Sequence, residues 1–437
     1  MQLLNTGSRR YQGPRSSAAR LRGRRAGILG TILAALVLIG PVPANAAAAV
    51  TSTIPVGSSP RNVAFTPDGS KAYVTNWESG TVSVIDVASG AVASTIPVGP
   101  SPLGVAVAPD GSIAYVTSGD SDSVSVIDVV SGTVTSTITI GAAPFAVAFA
   151  PDGATAYVTS GGSGSGTVSV IDVASGTVTS TIPVGPLPNA VAFAPDGSTA
   201  YVTNGQDSDM VSVIDVASGT WTSTIPVGSS PTDVAFTPDG SAAYTANNEG
   251  DSVSVIDVAS NRVTSTIPVG WAPDSVAIAP DGSAAYVTNS GADTVSVIDV
   301  ASNTVTSTVP TGAHPTGIAA APDGSAVYVV NTLSNTVSVI TVDAAPLAFT
   351  AATPPTKANT RAAYNYTFAA TGAPAPTFRV SSGALPAGLS LDGATGVLSG
   401  TPTKAGKFTF RVTAANGVSS HAVTDRITIT VTKAKVR

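Results

Sequence analysis

The sequence predicts an all-β protein: a seven-bladed β-propeller closed by an N-terminal strand, followed by a small β-sandwich. Three observations carry this reading. The tripeptide PDG stands at 67, 109, 151, 195, 238, 280 and 322, so the chain repeats every 42 to 44 residues. Each period holds short segments of Val, Ile, Thr, Tyr and Phe alternating with small or polar residues, the pattern of strands. A period of this length built from four strands is that of a propeller blade. After the seventh period the repeat stops and other alternating segments follow, YNYTF at 364–368, KFTFRV at 407–412 and RITITV at 426–431, which suit a sandwich.

Taken in order, the first 46 residues stand apart, with seven arginines, no acid, the uncharged run AGILGTILAALVLIG at 26–40 and PVPANA ending at Ala46. A basic start, a short apolar run and an A-x-A site read as an export signal cleaved after Ala46. The alternative is an uncleaved anchor, for which the apolar run is short against the roughly 20 residues needed to span. The segment VTSTIPVG at 50–57 comes next. Then one repeat shows its strands as VAFTPDGSKAYVTN at 63–76, TVSVIDV at 81–87 and AVASTIPVG at 91–99. In PDG, proline presets φ and glycine accepts positive φ, which makes a tight turn. ASG or ASN, as at 88–90 and 259–261, turns the third strand into the fourth. Copies of STIPVG begin at 52, 94, 136, 180, 223, 265 and 307, but none follows the last repeat, which ends near Val342. The segment at 50–57 is therefore expected to supply the missing fourth strand and close the ring, leaving no unpaired edge between first and last blades. The propeller is assigned to 47–343 and the sandwich to 344–437, joined by DAA at 343–345.

The string YVTN stands at 73–76, 201–204 and 286–289, with YVTS, YTAN and YVVN in the other four repeats. Together with PDG and VSVID, this resembles the YVTN-repeat β-propellers of microbial surface and surface-layer proteins. The resemblance covers about 47–343; it implies the fold and carries no catalytic residue. The run LPAGLSLDGATGVLSGTPTKAGKFTFRVTAANG at 385–417 resembles the immunoglobulin-like domains of bacterial surface proteins, which implies an immunoglobulin-like β-sandwich acting as spacer or adhesion module. LPAG within it reads as a turn, because no apolar tail follows.

Composition narrows the function. There is no cysteine, so disulfides, thiolate metal sites and thiol nucleophiles are excluded. Without the leader, thirteen Lys and Arg face 26 acids, which argues against nucleic acid as partner. Two histidines, His314 and His421, leave no two-histidine metal site within one domain.

Strand direction alternates, so PDG and ASG turns share one face, while the loops that differ between copies share the other. Variation on one face of a scaffold is where a specific site is built. Residues 47–343 hold 3 Lys and Arg against 24 acids. Thirteen of those acids occupy the repeated PDG and VSVID positions and are assigned to turns and strand ends. On the variable face lie Glu78, Asp120, Asp122, Asp207, Asp209, Asp233, Glu249, Asp251, Asp274 and Asp293, with Arg61 as the lone cation. Trp77, Phe145, Trp271 and His314 share that face and are candidate contacts, whereas Trp221, on an outer strand, reads as packing.

The expected function is an exported, non-enzymatic binding or scaffold protein of the cell surface or extracellular space. Its acidic face would take a protein or an envelope glycan, a basic one by preference, with self-assembly as a further partner mode. No cofactor is expected. The alternative is calcium at the pairs Asp120–Asp122, Asp207–Asp209 and Glu249–Asp251, although the full calcium-loop spacing is missing. Two other functions stay open: a lactonase-like hydrolase or lyase working through His314 and nearby acids at the channel mouth, and a structural surface-layer component.

Overall fold

The computed structural model describes residues 48–141, 143–161, 166–205, 208–341, 347–371, 376–415 and 422–434. The leader, Asp207, the DAA link and His421 lie outside these residues. Among the described residues the helical content is one 3-10 turn, Gly119–Ser121, and no helix is long and apolar enough to cross a membrane.

Seven four-stranded antiparallel sheets form the repeat region. The first comprises Pro60–Phe65, Lys71–Asn76, Thr81–Asp86 and Ala91–Pro97, ordered from the axis outward. Inner strands contact their neighbours in a closed ring, the seventh touching the first. The seventh sheet is built from two ends of the chain: Ala49–Pro55 pairs antiparallel with Thr336–Thr341. Ile54 opposes Val337 and is 2% exposed, within a core cluster that joins the seventh blade to the first. The protein is thus a seven-bladed propeller closed by its N-terminal strand.

The YVTN string is accounted for by blade packing. Its tyrosine lies between blades, in four of the seven against a phenylalanine of the following inner strand, as in Tyr115–Phe149 with ring centroids 4.7 Å apart and Tyr157–Phe193 at 4.6 Å, and in the others beside Val107, Ile278 or Ala320. The valine is fully buried. The threonine joins blades: Thr75 Oγ1 accepts the Asn62 N–H at 3.1 Å and donates to the Leu103 carbonyl of the next blade at 2.7 Å. Thr117, Thr159 and Thr288 repeat the outward bond at 2.7, 3.0 and 2.7 Å. The seventh blade has Val330 at this place, and there Thr316 Oγ1 donates to the Arg61 carbonyl at 3.0 Å instead. The asparagine holds the turn after it, Asn76 Nδ2 donating to Thr81 Oγ1 at 3.1 Å and Ser83 Oγ at 3.0 Å. Gly57 packs flat on that amide, where a Cβ would lie 2.5 Å from Asn76 Cγ.

The repeated acids serve turns, as their positions suggest. Asp68 Oδ1 accepts from Thr66 Oγ1 at 2.6 Å and the Ser70 N–H at 3.0 Å. The Thr66 hydroxyl, then the Ser70 bonds, hold its carboxyl below the usual range. Asp172 Oδ1 likewise accepts from Ser175 Oγ at 2.6 Å and the Ser175 N–H at 2.8 Å.

The C-terminal region is also all-β. Lys357–Asn359, Ile427–Thr432, Gly406–Ala415 and Thr377–Gly383 form one sheet, and Tyr364–Thr367, Val397–Gly400 and Leu389–Leu391 another. Phe368, Phe378, Leu398, Phe410 and Ile429 fill its core. LPAG forms a turn, with the Leu389 N–H donating to the Pro386 carbonyl at 3.0 Å.

Candidate functional site

Every inner strand begins with proline, two variable residues and then, in six of the seven blades, valine, with Ile318 in the seventh. In the first blade Pro60 pairs with Asn76 and Val63 with Val74, so Arg61 and Asn62 oppose Thr75 alone. Two residues against one is a β-bulge, a device that re-aims side chains. The same register shift recurs in all seven blades. It brings Arg61–Asn62, Leu103–Gly104, Phe145–Ala146, Asn189–Ala190, Asp233 with Thr232, Asp274–Ser275 and Thr316–Gly317 around one cavity of about 440 Å3, with Trp77 at its edge. This cavity is the mouth of the central channel on the variable face. The sequence reading placed Arg61, Phe145, Asp233 and Asp274 in loops; they lie within strands, because each strand starts at the proline rather than at the valine.

The lining is asymmetric around the ring. Trp77, Leu103 and Phe145, from the first three blades, give an apolar wall, with Phe145 46% exposed. Asp233 and Asp274, from the fifth and sixth, give an acidic one. The two carboxylates differ. Asp233 Oδ1 accepts the Val234 N–H at 2.8 Å, and its Oδ2 accepts the Val276 N–H at 3.0 Å and the Ser275 hydroxyl, so it ties the fifth blade to the sixth. Asp274 has no hydrogen bond to any described residue. Burial, then the charge of Asp233, pushes its carboxyl up to about 6, while Arg61 pulls the other way. Burial also raises Asp233, opposed by its hydrogen bonds. The Arg61 guanidinium lies 5.3 Å from the centre of the Trp77 ring. Its Nε is buried without a hydrogen-bond partner in the protein.

The remaining predicted residues go elsewhere. Asp122, Asp251 and Asp293 adopt left-handed φ of 48°, 45° and 55° and brace the loop into the next blade. Their Oδ1 atoms accept the N–H groups of Ala143, Ala272 and His314 at 2.8, 2.9 and 2.8 Å. Asp209 does the same for Ser230 at 2.9 Å. Asp120 accepts the Ser101 hydroxyl. Glu78 and Glu249 are exposed on the rim. His314 is a brace partner with φ of 54°. Trp271 is 67% exposed and covers Gly291. Trp221, read as packing, is instead 42% exposed on the outer strand, its Nε1 donating to the Ser223 carbonyl at 2.8 Å. Among the described residues, no three His, Asp or Glu side chains converge as a metal site. The sequence reading missed Asn62, Leu103, Asn189, Thr232, Ser275 and Thr316; the signal was the pair of unlike residues between the proline and the next buried residue of each repeat.

The fold and this lumen define a propeller that could carry a site at its channel mouth. A family model described as "Lactonase, 7-bladed beta-propeller" matches residues 43–193 and 223–361, and the chain belongs to that family. A model described as "Putative Ig domain" matches residues 332–432, so the C-terminal region is immunoglobulin-like. Among solved structures, a chain of Kuenenia stuttgartiensis hydrazine synthase is similar, with 27% identity and a TM-score of 0.61, over 65% of this chain and 95% of that one. In all, 1300 solved chains match, so the likeness alone selects no activity. No curated protein sequence matches.

Proposed function

We propose that the protein is an exported binding protein whose channel mouth holds a small ligand or one protruding side chain of a partner. One observation carries this reading. Seven repeats that agree at their buried positions differ at the two bulge residues, and these converge on a single cavity holding charges of both signs. A packing requirement would repeat; a recognition surface need not. Export is supported by the leader-like first 46 residues. The C-terminal region, residues 344–437, has 10 Lys and Arg against Asp392 and Asp425, and its partner would be an anionic wall polymer.

The test uses the full mature chain labelled with nitrogen-15 at tryptophan. Its indole N–H groups report Trp77 at the mouth and Trp221 on the outer strand. Small molecules from the producer's culture fluid, added in fractions, should shift the Trp77 signal and leave Trp221 in place. If no fraction moves Trp77, the reading fails.

A second reading, hydrolysis of a small ester or lactone, is supported by the family match and by Asp274, whose value of about 6 suits a general base near neutral pH. Sugar δ-lactones in a pH-stat test it. Opening faster than the spontaneous rate, and lost in Asp274→Asn, supports hydrolysis; no acceleration removes it.

A further inference from the structure

We infer that the channel mouth takes a zwitterion of the α-amino-acid class, its ammonium at Asp274, its carboxylate at Arg61 and its side chain on the wall of Leu103 and Phe145. This deepens the binding reading above and rests on it.

Arg61 and Asp274 occupy the same position of the repeat, the first residue after the inner-strand proline, in the first and sixth blades. The seventh blade stands between them and puts little there. Gly317 lies flat on the Arg61–Asn62 backbone, where a Cβ would come within 2.7 Å of the Arg61 carbonyl oxygen. Thr316 turns its hydroxyl to that carbonyl at 3.0 Å and to Thr332 Oγ1 at 2.9 Å. Two opposite charges thus border one cavity with no bulky side chain between them. Neither reaches the other: Arg61 is held over Trp77, and Asp274 makes no hydrogen bond to a described residue.

The unpartnered Arg61 Nε is unlike most others of its kind. The buried unpartnered oxygens of Asn76, Asn204, Asn247, Asn289 and Asn331 recur at one position of the blade and belong to the fold. Arg61 has no counterpart; the other blades carry Leu, Phe, Asn, Thr, Asp and Thr at its place. Arg61 lines the cavity and its guanidinium donates to no described residue, which favours an acceptor there, and a desolvated carboxylate favours a cation. A lone ammonium would leave Arg61 unsatisfied and be repelled by it. A lone carboxylate would meet Asp274 and Asp233. A molecule carrying an ammonium and a carboxylate on one carbon satisfies both walls. The cavity, about 440 Å3, admits an amino acid or a short peptide end and not a folded domain.

Three probes sharing one ring separate the possibilities: phenylalanine, phenethylamine and 3-phenylpropionate, titrated calorimetrically into the full mature chain at neutral pH while the Trp77 indole signal is followed. Phenylalanine should bind at least about tenfold tighter than either single-charge analogue. Arg61→Gln should remove that advantage over phenethylamine, and Arg61→Lys, which keeps the charge, should restore part of it. Asp274→Asn should weaken phenylalanine and phenethylamine alike by about tenfold or more. Thermal midpoints of the variants exclude loss of fold as the cause. Phenethylamine or phenylpropionate binding as tightly as phenylalanine overturns the inference and leaves the binding reading standing. So does silence from all three probes while another compound shifts Trp77. If nothing shifts Trp77, both fall together.

Discussion

Asp251 and Asp274 sit on the same face of adjacent blades, and they have opposite fates. Asp251 recurs: Asp122, Asp209 and Asp293 stand at its place, and each accepts a backbone N–H of the following blade. Asp274 does not recur, lies deeper and has no such partner. In a repeat protein the copies act as one another's controls. A residue that returns in most blades is committed to the interface every blade must make; one that appears once is free for something else. The difference was invisible in a charge count, which placed both among ten equivalent acids.

The recurring side of this comparison breaks hardest at the ring closure. A chain beginning at Pro60 loses the pairing of Ala49–Pro55 with Thr336–Thr341 and the burial of Ile54. Each lost backbone bond is worth about 0.5–1.5 kcal/mol net and the side chain about 1.5–3 kcal/mol. Such a chain should aggregate or melt far below the parent in a thermal scan, and an unchanged midpoint would contradict closure.

Next in size is Thr75→Val. It strands the Asn62 N–H and the Leu103 carbonyl, at a cost of about 2–4 kcal/mol in denaturant unfolding. A loss below the error of that measurement would refute the blade-joining role.

Asp274→Asn should move stability the other way. The folded protein holds the Asp274 proton more tightly than the unfolded chain, about 6 against 3.8. The resulting penalty is absent below the lower value, grows between the two and is complete above the higher. The variant should therefore be more stable by about 1–3 kcal/mol at neutral pH, with the two proteins converging near pH 4. Parallel stability curves across that range would show that Asp274 is not desolvated.

The smallest effect belongs to Asp251→Ala, which gives up one bond at a left-handed position and should cost about 1 kcal/mol. Asp251→Asn, able to accept the same N–H, should cost less; equal losses would mean the charge rather than the bond matters.

The fold was legible because its signals are local or internal. PDG is a turn by the chemistry of its own three residues, and the absent fourth strand of the last repeat points directly to VTSTIPVG. The site was legible only in part. The braces join residues 21 apart, such as Asp251 and Ala272, across a blade boundary that no local pattern marks. The lumen positions were hidden for another reason. Strand propensity made Val63 look like the start of the inner strand, whereas Pro60 begins it and a bulge carries Arg61 and Asn62 inward. Tryptophan misled as well: Trp221 satisfies its indole N–H on its own strand and needs no core.

The two-ended seventh blade has a consequence for biogenesis. Thr51 and its partner Val339 are 288 residues apart. Closing a loop of that length costs about 5 kcal/mol of chain entropy beyond the constant term. The strand that seals the ring is also the first of its strands to be synthesised and, if the chain is exported, the first to cross. It must wait, unpaired, until the last blade arrives. Completion of the propeller is thereby tied to arrival of its far end, and a chain cut short anywhere before Thr336 leaves Ala49–Pro55 without a partner, an open edge by which quality-control proteases can recognise it.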